Sequence, residues 1–564
     1  MIIPPAKDRL QFYTELVSKC EASLPDRRTN YDSYRQYYLQ GSLGNSKNVY
    51  QNRIRDKINL LSAFLYAQEN VKFGITFNPG VPPEQKLYTD TMREIAQMLW
   101  HNTDAKSLFG EAVTWALVDG CRIKKIAHRP HGGIKTYMVE PACFAVLRED
   151  IDSLDDQEAM VMTYHITESE LRRQIFNHPE RDRIMGQLSS RKRDDNLSTI
   201  PETVTRIIIS QVSPSMIGSA NVDGQGLRVD YQPRVEEPLV ECRELWVWDD
   251  SLRDGKGDYR VWTAAVPDVT IYDRPNIFIP SENPFTKVCA FPLPNYFWGL
   301  SLVGAQIGLQ DWRDKRLGQI DQTLLRQLRP SRIGIGAGPL SSEKALALDS
   351  PGGYHSFPQP NAKIETYKPE LPPDAWKLIA DIDEQMDEIT GITRTLKGRG
   401  DEGIRAEGHA QFLGRMGSAP LRRRALNIES NLEDEITLMM KLFAREDATE
   451  YIADKTKDGK REKFLLSQVS PDYRIKVSAH SSSPIFAEEN KQMADGLFKA
   501  GAIDKRTLVE MLDPPMIDTI LARLPALEEA QSEVAKLKAQ QEQSKTVKNV
   551  AQAEAAKAKI GLVR

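Results

Sequence analysis

The chain has 564 residues, of which 40% are hydrophobic and 27% charged, a balance that excludes a disordered polymer and leaves material for about two to four domains. Lysine and arginine number 75 against 79 aspartate and glutamate, a formal net charge of −4. A protein that grips nucleic acid along its length carries a basic excess, so any contact with DNA is expected to be local and non-adhesive.

Residues 7–25 have Leu10, Tyr13, Leu16 and Val17 at helical spacing, and a tyrosine-rich stretch, YDSYRQYYLQGS, follows at 31–42. The segment 52–68 places Ile54, Ile58, Leu61 and Phe64 on one side of a second amphipathic helix. Residues 87–120 continue as a helix or helix pair stopping at Gly120. The pattern then changes to β-branched alternation in CRIKKIAH and IKTYMVEPACFAVL, parted by the turn RPHGG. Residues 185–235 are polar, with ETVTRIIISQV as one strand inside them; 242–250, 259–266 and 269–273 read as a meander. Helices followed by sheet predict an α+β class.

A rod is predicted over 299–329, roughly 45 Å long, against about 11–12 residues for an average helix. Leu317, Ile320, Leu324 and Leu328 form its apolar stripe, and Gly304 and Gly308 open it to close approach by a neighbouring helix. Residues 330–372 contain two strands, SRIGIGAG and AKIETYKPE, around a short helix at 341–349. A second helix over 372–390 is opened by Pro372 and Pro373. Ile379, Ile382, Met386 and Ile389 form its stripe, with Asp381, Asp383, Glu384, Asp387 and Glu388 on its other face. Two helices flanking a small β-rich insertion predict an antiparallel hairpin that holds the insertion at its tip.

The Gly-rich loop 391–403 carries Arg394, Lys397 and Arg399, with Arg405 just beyond. A long helix over 404–446 is expected to bend at Pro420 and to bury Leu421, Ala425, Ile428, Leu432, Ile436, Met439 and Phe443. YRIKVSAH at 473–480 reads as a strand, and the chain is helical again from Pro484, ending in an Ala/Glu/Lys/Gln-rich stretch too short in heptads for a coiled coil.

Tests for chemistry return structural readings. GIGAGPL lacks the spacing of a dinucleotide loop, and neither a phosphate-binding P-loop nor a zinc pattern is present, so no cofactor or metal site is expected. His128 and His131 lie on a turn with no third ligand nearby. Cys20, Cys121, Cys143, Cys242 and Cys289 have no metal-ligand spacing and read as reduced thiols of an intracellular protein. The N-terminus lacks a signal-peptide layout and no apolar run spans a bilayer, so assembly in the cytoplasm is expected. The acidic run 381–388 reads as a solvated helix face. For the basic loop 394–399, phosphate contact and simple solvation are equally open readings.

The order of these parts resembles that of the portal proteins of tailed bacteriophages, the head-to-tail connector family. YYLQGS followed by NRIRDKINLL is similar to the family's N-terminal Tyr-Tyr-x-Gly region and succeeding helix. ENPFTKVCAFPLPNYFWGLSLVGAQIGLQDWRDKRLGQI resembles its Pro-rich approach, aromatic-Gly-x-Ser turn and long helix. DEITGITRTLKGRGDEGIRAEGHAQFLGRMGSAPLRRRALNIE resembles its loop, long helix and mid-helix proline.

The resemblance implies a non-enzymatic ring, typically a dodecamer, around a double-stranded DNA channel at one capsid vertex of a virion. It serves genome packaging, retention and ejection, with a terminase motor, capsid or scaffolding protein and head–tail adaptors as partners. It divides the chain into a wing (1–298 and 404–482), stem helices (299–329 and 373–390), a clip (330–372), a tunnel loop (391–403) and a crown (484–564). Arg394, Lys397, Arg399 and Arg405 would then meet DNA briefly, while the acidic stem face would repel it. Two rival readings are another ring-forming virion component, such as a tail adaptor or scaffold, and a DNA-processing enzyme holding Mg²⁺ on residues 381–388.

Overall fold

The computed structural model describes residues 1–41, 51–67, 71–82, 85, 88–128, 133–191, 239–265, 269–328, 331–335, 363–367, 369–392, 407–447, 449–452, 463–477, 487–512 and the single positions 520, 523, 545, 548 and 550. Several sequence expectations lie outside the described residues: the strand within 185–235, the turn residue His131, the short helix at 341–349, and the loop positions Arg394, Lys397, Arg399 and Arg405. The chain divides into two compact units, Met1–Ser478 and Ala479–Arg564.

The first unit opens with α1 (Arg9–Cys20), α2 (Leu24–Gln40) and α3 (Arg53–Leu65). Gly41 ends α2 at φ +80, a left-handed conformation favoured by glycine, and the Asn52 side chain starts α3 by accepting the Arg55 amide. A short strand, β1 (Phe73–Phe77), precedes α4 (Thr89–Asn102) and α5 (Ala105–Asp119), the expected helix pair. Then come β2 (Arg122–His128), β3 (Ile134–Val139), β4 (Phe144–Val146), β5 (Ala159–Thr167), α6 (Glu168–Gln174), α7 (Arg181–Arg191), β6 (Leu239–Asp249), β7 (Asp258–Ala265), β8 (Val269–Pro275) and β9 (Phe285–Val288). The class is α+β, as the sequence predicts.

Strands β4 to β8 form one antiparallel sheet in chain order, which includes the expected meander, and β3-β2-β9 form a second. Alternation assigns the faces. Ala145, Val161, Leu245 and Val247 meet Tyr13, Leu16 and Val17 of α1, while Phe144, Val146, Met160 and Trp246 pack with Phe285, Phe297 and Trp298. A third cluster seats Leu171, Ile175 and Ile184, from α6 through α7, on Val240, Ala265 and Ile271 of the sheet's far end.

The remaining elements are α8 (Ile307–Leu328), β10 (Ser331–Ile335), β11 (Lys363–Tyr367), α9 (Ala375–Thr390), α10 (Glu407–Glu446), β12 (Glu450–Ile452), β13 (Lys463–Leu465) and β14 (Tyr473–Val477). α10 runs through Pro420, and Leu421, Ala425, Ile428, Leu432, Ile436 and Met439 are buried as predicted, with Phe443 half-buried. Strand β14 pairs antiparallel with β1, closing the unit across nearly its whole length. In the second unit, α11 (Ala487–Lys499) is followed by α12 (Lys505–Leu512), whose first turn is capped by the Asp504 carboxylate accepting the Thr507 amide at 2.9 Å. Among the described residues no helix is long and apolar enough to cross a membrane.

The rod is shorter than predicted. Residues 302–306 form turns, and the helix starts at Ile307, about 33 Å from its end. The preceding backbone is committed elsewhere: Gly299 sits at φ +68 against Gly120, which itself lies at φ +102. A Cβ on Gly120 would come within 2.9 Å of the Trp298 carbonyl oxygen, and one on Gly299 within 2.9 Å of the Gly120 carbonyl oxygen. The Ser301 hydroxyl donates to the Val118 carbonyl, and the Leu302 amide to that of Leu117 at 3.0 Å. The aromatic-Gly-x-Ser turn is thus pinned to the end of α5 before the helix begins.

Candidate functional site: the helical hairpin

Helices α8 and α9 are the legs of an antiparallel hairpin. Arg313 Nε donates to Asp383 Oδ1 at 2.8 Å, and Gln327 Nε2 donates to the Pro369 carbonyl at 2.8 Å. The two contacts are separated by equal intervals along the two legs, which fixes the direction and register of the pair. Beyond the helices, β10 and β11 close the hairpin with a ladder running from Ser331 opposite Tyr367 to Ile335 opposite Lys363. Ile382 and Met386 are fully buried, and Ile379 and Ile320 nearly so.

Polar contacts with α2 and α3 fix the root of the hairpin. The Tyr37 hydroxyl donates to both carboxylate oxygens of Asp311 at 2.8 Å. Gln310 accepts the Arg53 amide at 3.2 Å and donates to the Gln51 carbonyl at 3.0 Å. Arg53 Nη2 reaches Asp383 Oδ2 at 3.2 Å, and Lys57 pairs with Asp387. The tyrosine-rich segment and the helix after it therefore clasp the root of the hairpin. Tyr34, Arg53 and Lys57 were not singled out from the sequence, and Arg313 was read only as a charged residue outside the rod's apolar stripe; the four-residue spacing of Arg53 and Lys57, matching that of Asp383 and Asp387, was the available signal.

The five expected acidic positions do not share one face. Asp383 and Asp387, one turn apart, point into the root and are paired with cations, whereas Asp381, Glu384 and Glu388 are exposed. Of the predicted packing residues, Ile320 is buried and Leu317 half-buried. Leu324 is 38% and Leu328 79% exposed. Gly304 and Gly308 are not a pair on one helix. Gly304 lies before α8, where a Cβ would come within 2.9 Å of the Tyr34 ring of the same chain, while a Cβ on Gly308 would meet open space. Leu325 at 55% and Trp376 at 55% exposure add to the apolar surface of the distal half, which no other part of the described chain covers.

Outside the hairpin, several ionisable groups are buried in pairs or clusters. Arg35 bridges the buried Asp119 and Glu140 at 3.1 and 2.9 Å, and Arg122 completes the square from Asp119 at 3.3 Å. Lys124 and Glu435 pair with no exposure at all; burial lowers the amine's pKa and raises the carboxyl's, against their mutual attraction. All five cysteines are free and buried, and burial pushes the thiol of Cys20 up to about 12 and that of Cys289 up to about 11. Among the described residues no group of His, Cys, Asp or Glu is disposed to hold a metal ion. At Asp383 and Asp387 cations already take the carboxylates.

A family model described as Phage SU10 portal protein matches residues 93–559. The chain belongs to this family of phage portal proteins. The match spans both sheets, the whole hairpin and α10. Among solved structures, one titled "Virion of native gene transfer agent (GTA) particle" aligns at 11% identity over 82% of this chain and 89% of that chain, with a TM-score of 0.39. No curated protein matches.

Proposed function

We propose that this portal-family protein forms a ring at one capsid vertex and acts as a non-enzymatic channel for double-stranded DNA during packaging, retention and ejection. In this reading 1–298 and 404–482 are the wing, α8 and α9 the stem, 330–372 the clip, 391–403 the tunnel loop and 484–564 the crown. The clip would meet a terminase motor and later the head–tail adaptors, and capsid or scaffolding protein would surround the ring.

The observation that carries this reading is the gradient along the hairpin. Its root is locked by ion pairs to α3, while Leu324, Leu325, Leu328 and Trp376 leave an apolar surface toward the tip. Each large apolar side chain covered would contribute about 1.5–3 kcal/mol. Copies standing side by side would provide that cover on both flanks of each hairpin. The exposed Asp381, Glu384 and Glu388 would then oppose phosphate, letting DNA slide, and Arg394, Lys397, Arg399 and Arg405 would make brief sequence-blind contacts.

Electron microscopy of the purified protein viewed end-on tests the reading: rings with a central opening are expected, and dispersed single copies at micromolar concentration would overturn it. Deleting 394–400 should leave the rings intact and impair packaging or DNA retention; loss of rings would contradict the assignment of that loop.

A further inference from the structure

Arg424 of α10 occupies a position that neither the ring reading nor the family match explains. Its guanidinium is half-buried and, among the described residues, pairs with no carboxylate. Instead Nη1 donates to the Thr390 carbonyl and Nη2 lies 3.5 Å from that of Ile389, the last two residues of α9. Its carbon centre stands 4.1 Å over the Phe291 ring, in the segment leading toward α8. Burial without an anionic partner lowers its pKa to about 10.

The surroundings form one junction. α9 ends in a paired-amide cap at Gly391, φ +73, with the Gly391 amide donating to the Glu388 carbonyl at 3.0 Å and the Ile392 amide to that of Asp387 at 3.1 Å. A Cβ on Gly391 would lie 3.5 Å from Arg424 Nη1 and 3.6 Å from Pro420. Proline at that point removes the helical donor to the Met416 carbonyl, weakening α10 one turn before Arg424. A cation at a helix C-terminus meets unpaired carbonyls and the negative end of the helix dipole. Asn427 Nδ2, 3.4 Å from the Ala290 carbonyl, adds a second tie between α10 and the run toward α8.

We propose that Arg424 is a positioning residue that fastens both roots of the hairpin to α10, holding the last turn of α9 through its carbonyls and the approach to α8 through Phe291. Arginine is required because a single planar fork donates to two carbonyls while its face stacks on a ring; lysine supplies charge without the fork. The last turn of α9 should therefore open locally when the guanidinium is removed, while the rest of the molecule stays closed.

Hydrogen exchange of the full-length protein, followed by mass spectrometry, reads this. In Arg424→Met, exchange within residues 385–392 is expected to accelerate by about tenfold to a hundredfold, the loss of a charged hydrogen bond, with β6 and β7 unchanged. Arg424→Lys should give a smaller acceleration in the same segment and keeps the proposal testable if the methionine variant does not fold. Wild-type exchange at 385–392 in either folded variant, or acceleration spread evenly through the chain, would overturn it.

Discussion

Asp383 of α9 receives Arg313 of α8 on one carboxylate oxygen, at 2.8 Å, and Arg53 of α3 on the other, at 3.2 Å. One side chain therefore ties the two legs of the hairpin to each other and to the body. Arg313 is only 5% exposed, so removing Asp383 leaves a buried cation that keeps only the looser contact to Asp314 at 3.8 Å. Asp383→Ala is expected to cost about 3 kcal/mol, against about 1 kcal/mol or less for Arg53→Ala at the more exposed end. Denaturant midpoints of the two variants check the order; equal losses would contradict it.

Lys124 on β2 and Glu435 on α10 form a pair with no solvent access, next to the Phe109 ring. Breaking it from one side, by Lys124→Met or Glu435→Leu, is expected to destabilise by about 3–5 kcal/mol, because the surviving charge stays buried. The double variant should recover most of that loss. A double-mutant cycle by chemical denaturation measures the coupling, and additive losses would show that the pair is not the source.

Gly304 and Gly308 separate chain folding from assembly. Gly304→Val places a Cβ against Tyr34 within the same chain and should reduce the stability of the unassembled protein by about 1–3 kcal/mol. In Gly308→Val the new Cβ meets nothing within 4 Å outside its own helix turn, so the unassembled protein should be unaffected or slightly altered by helix propensity, and the effect should fall on ring yield. Thermal denaturation of single copies, with sedimentation of the assembled form, distinguishes the two.

Asp249 supplies the pH dependence of the sheet's end. Burial pushes its carboxyl upward, but the Ser251 hydroxyl and amide and the Arg260 guanidinium outweigh that and hold it below the ordinary value of 3.8. A lowered folded-state value means the contribution is fully present above 3.8 and fades as pH falls through the folded value. Asp249→Asn should therefore be less stable than wild type at neutral pH, with the difference shrinking below pH 3.8. Urea midpoints across pH 2 to 7, roughly the span of the carboxylate titration, test the sign; a gap that widens in acid would refute it.

The sequence by itself determined the element types and the order of the parts: paired helices before a meander, then leg, tip, second leg and long helix. Helical and strand periodicity depend on near neighbours along the chain, so Ile379, Ile382 and Met386 could be assigned to one face without knowledge of their partners. Only tertiary structure decided that α8 begins at Ile307, because the turn before it is held by carbonyls of α5. It also decided that the acidic run divides into a paired face and an exposed one. Asp383 meets Arg53 across 330 positions of chain, and no local pattern states which distant cation a carboxylate will find once the chain has closed.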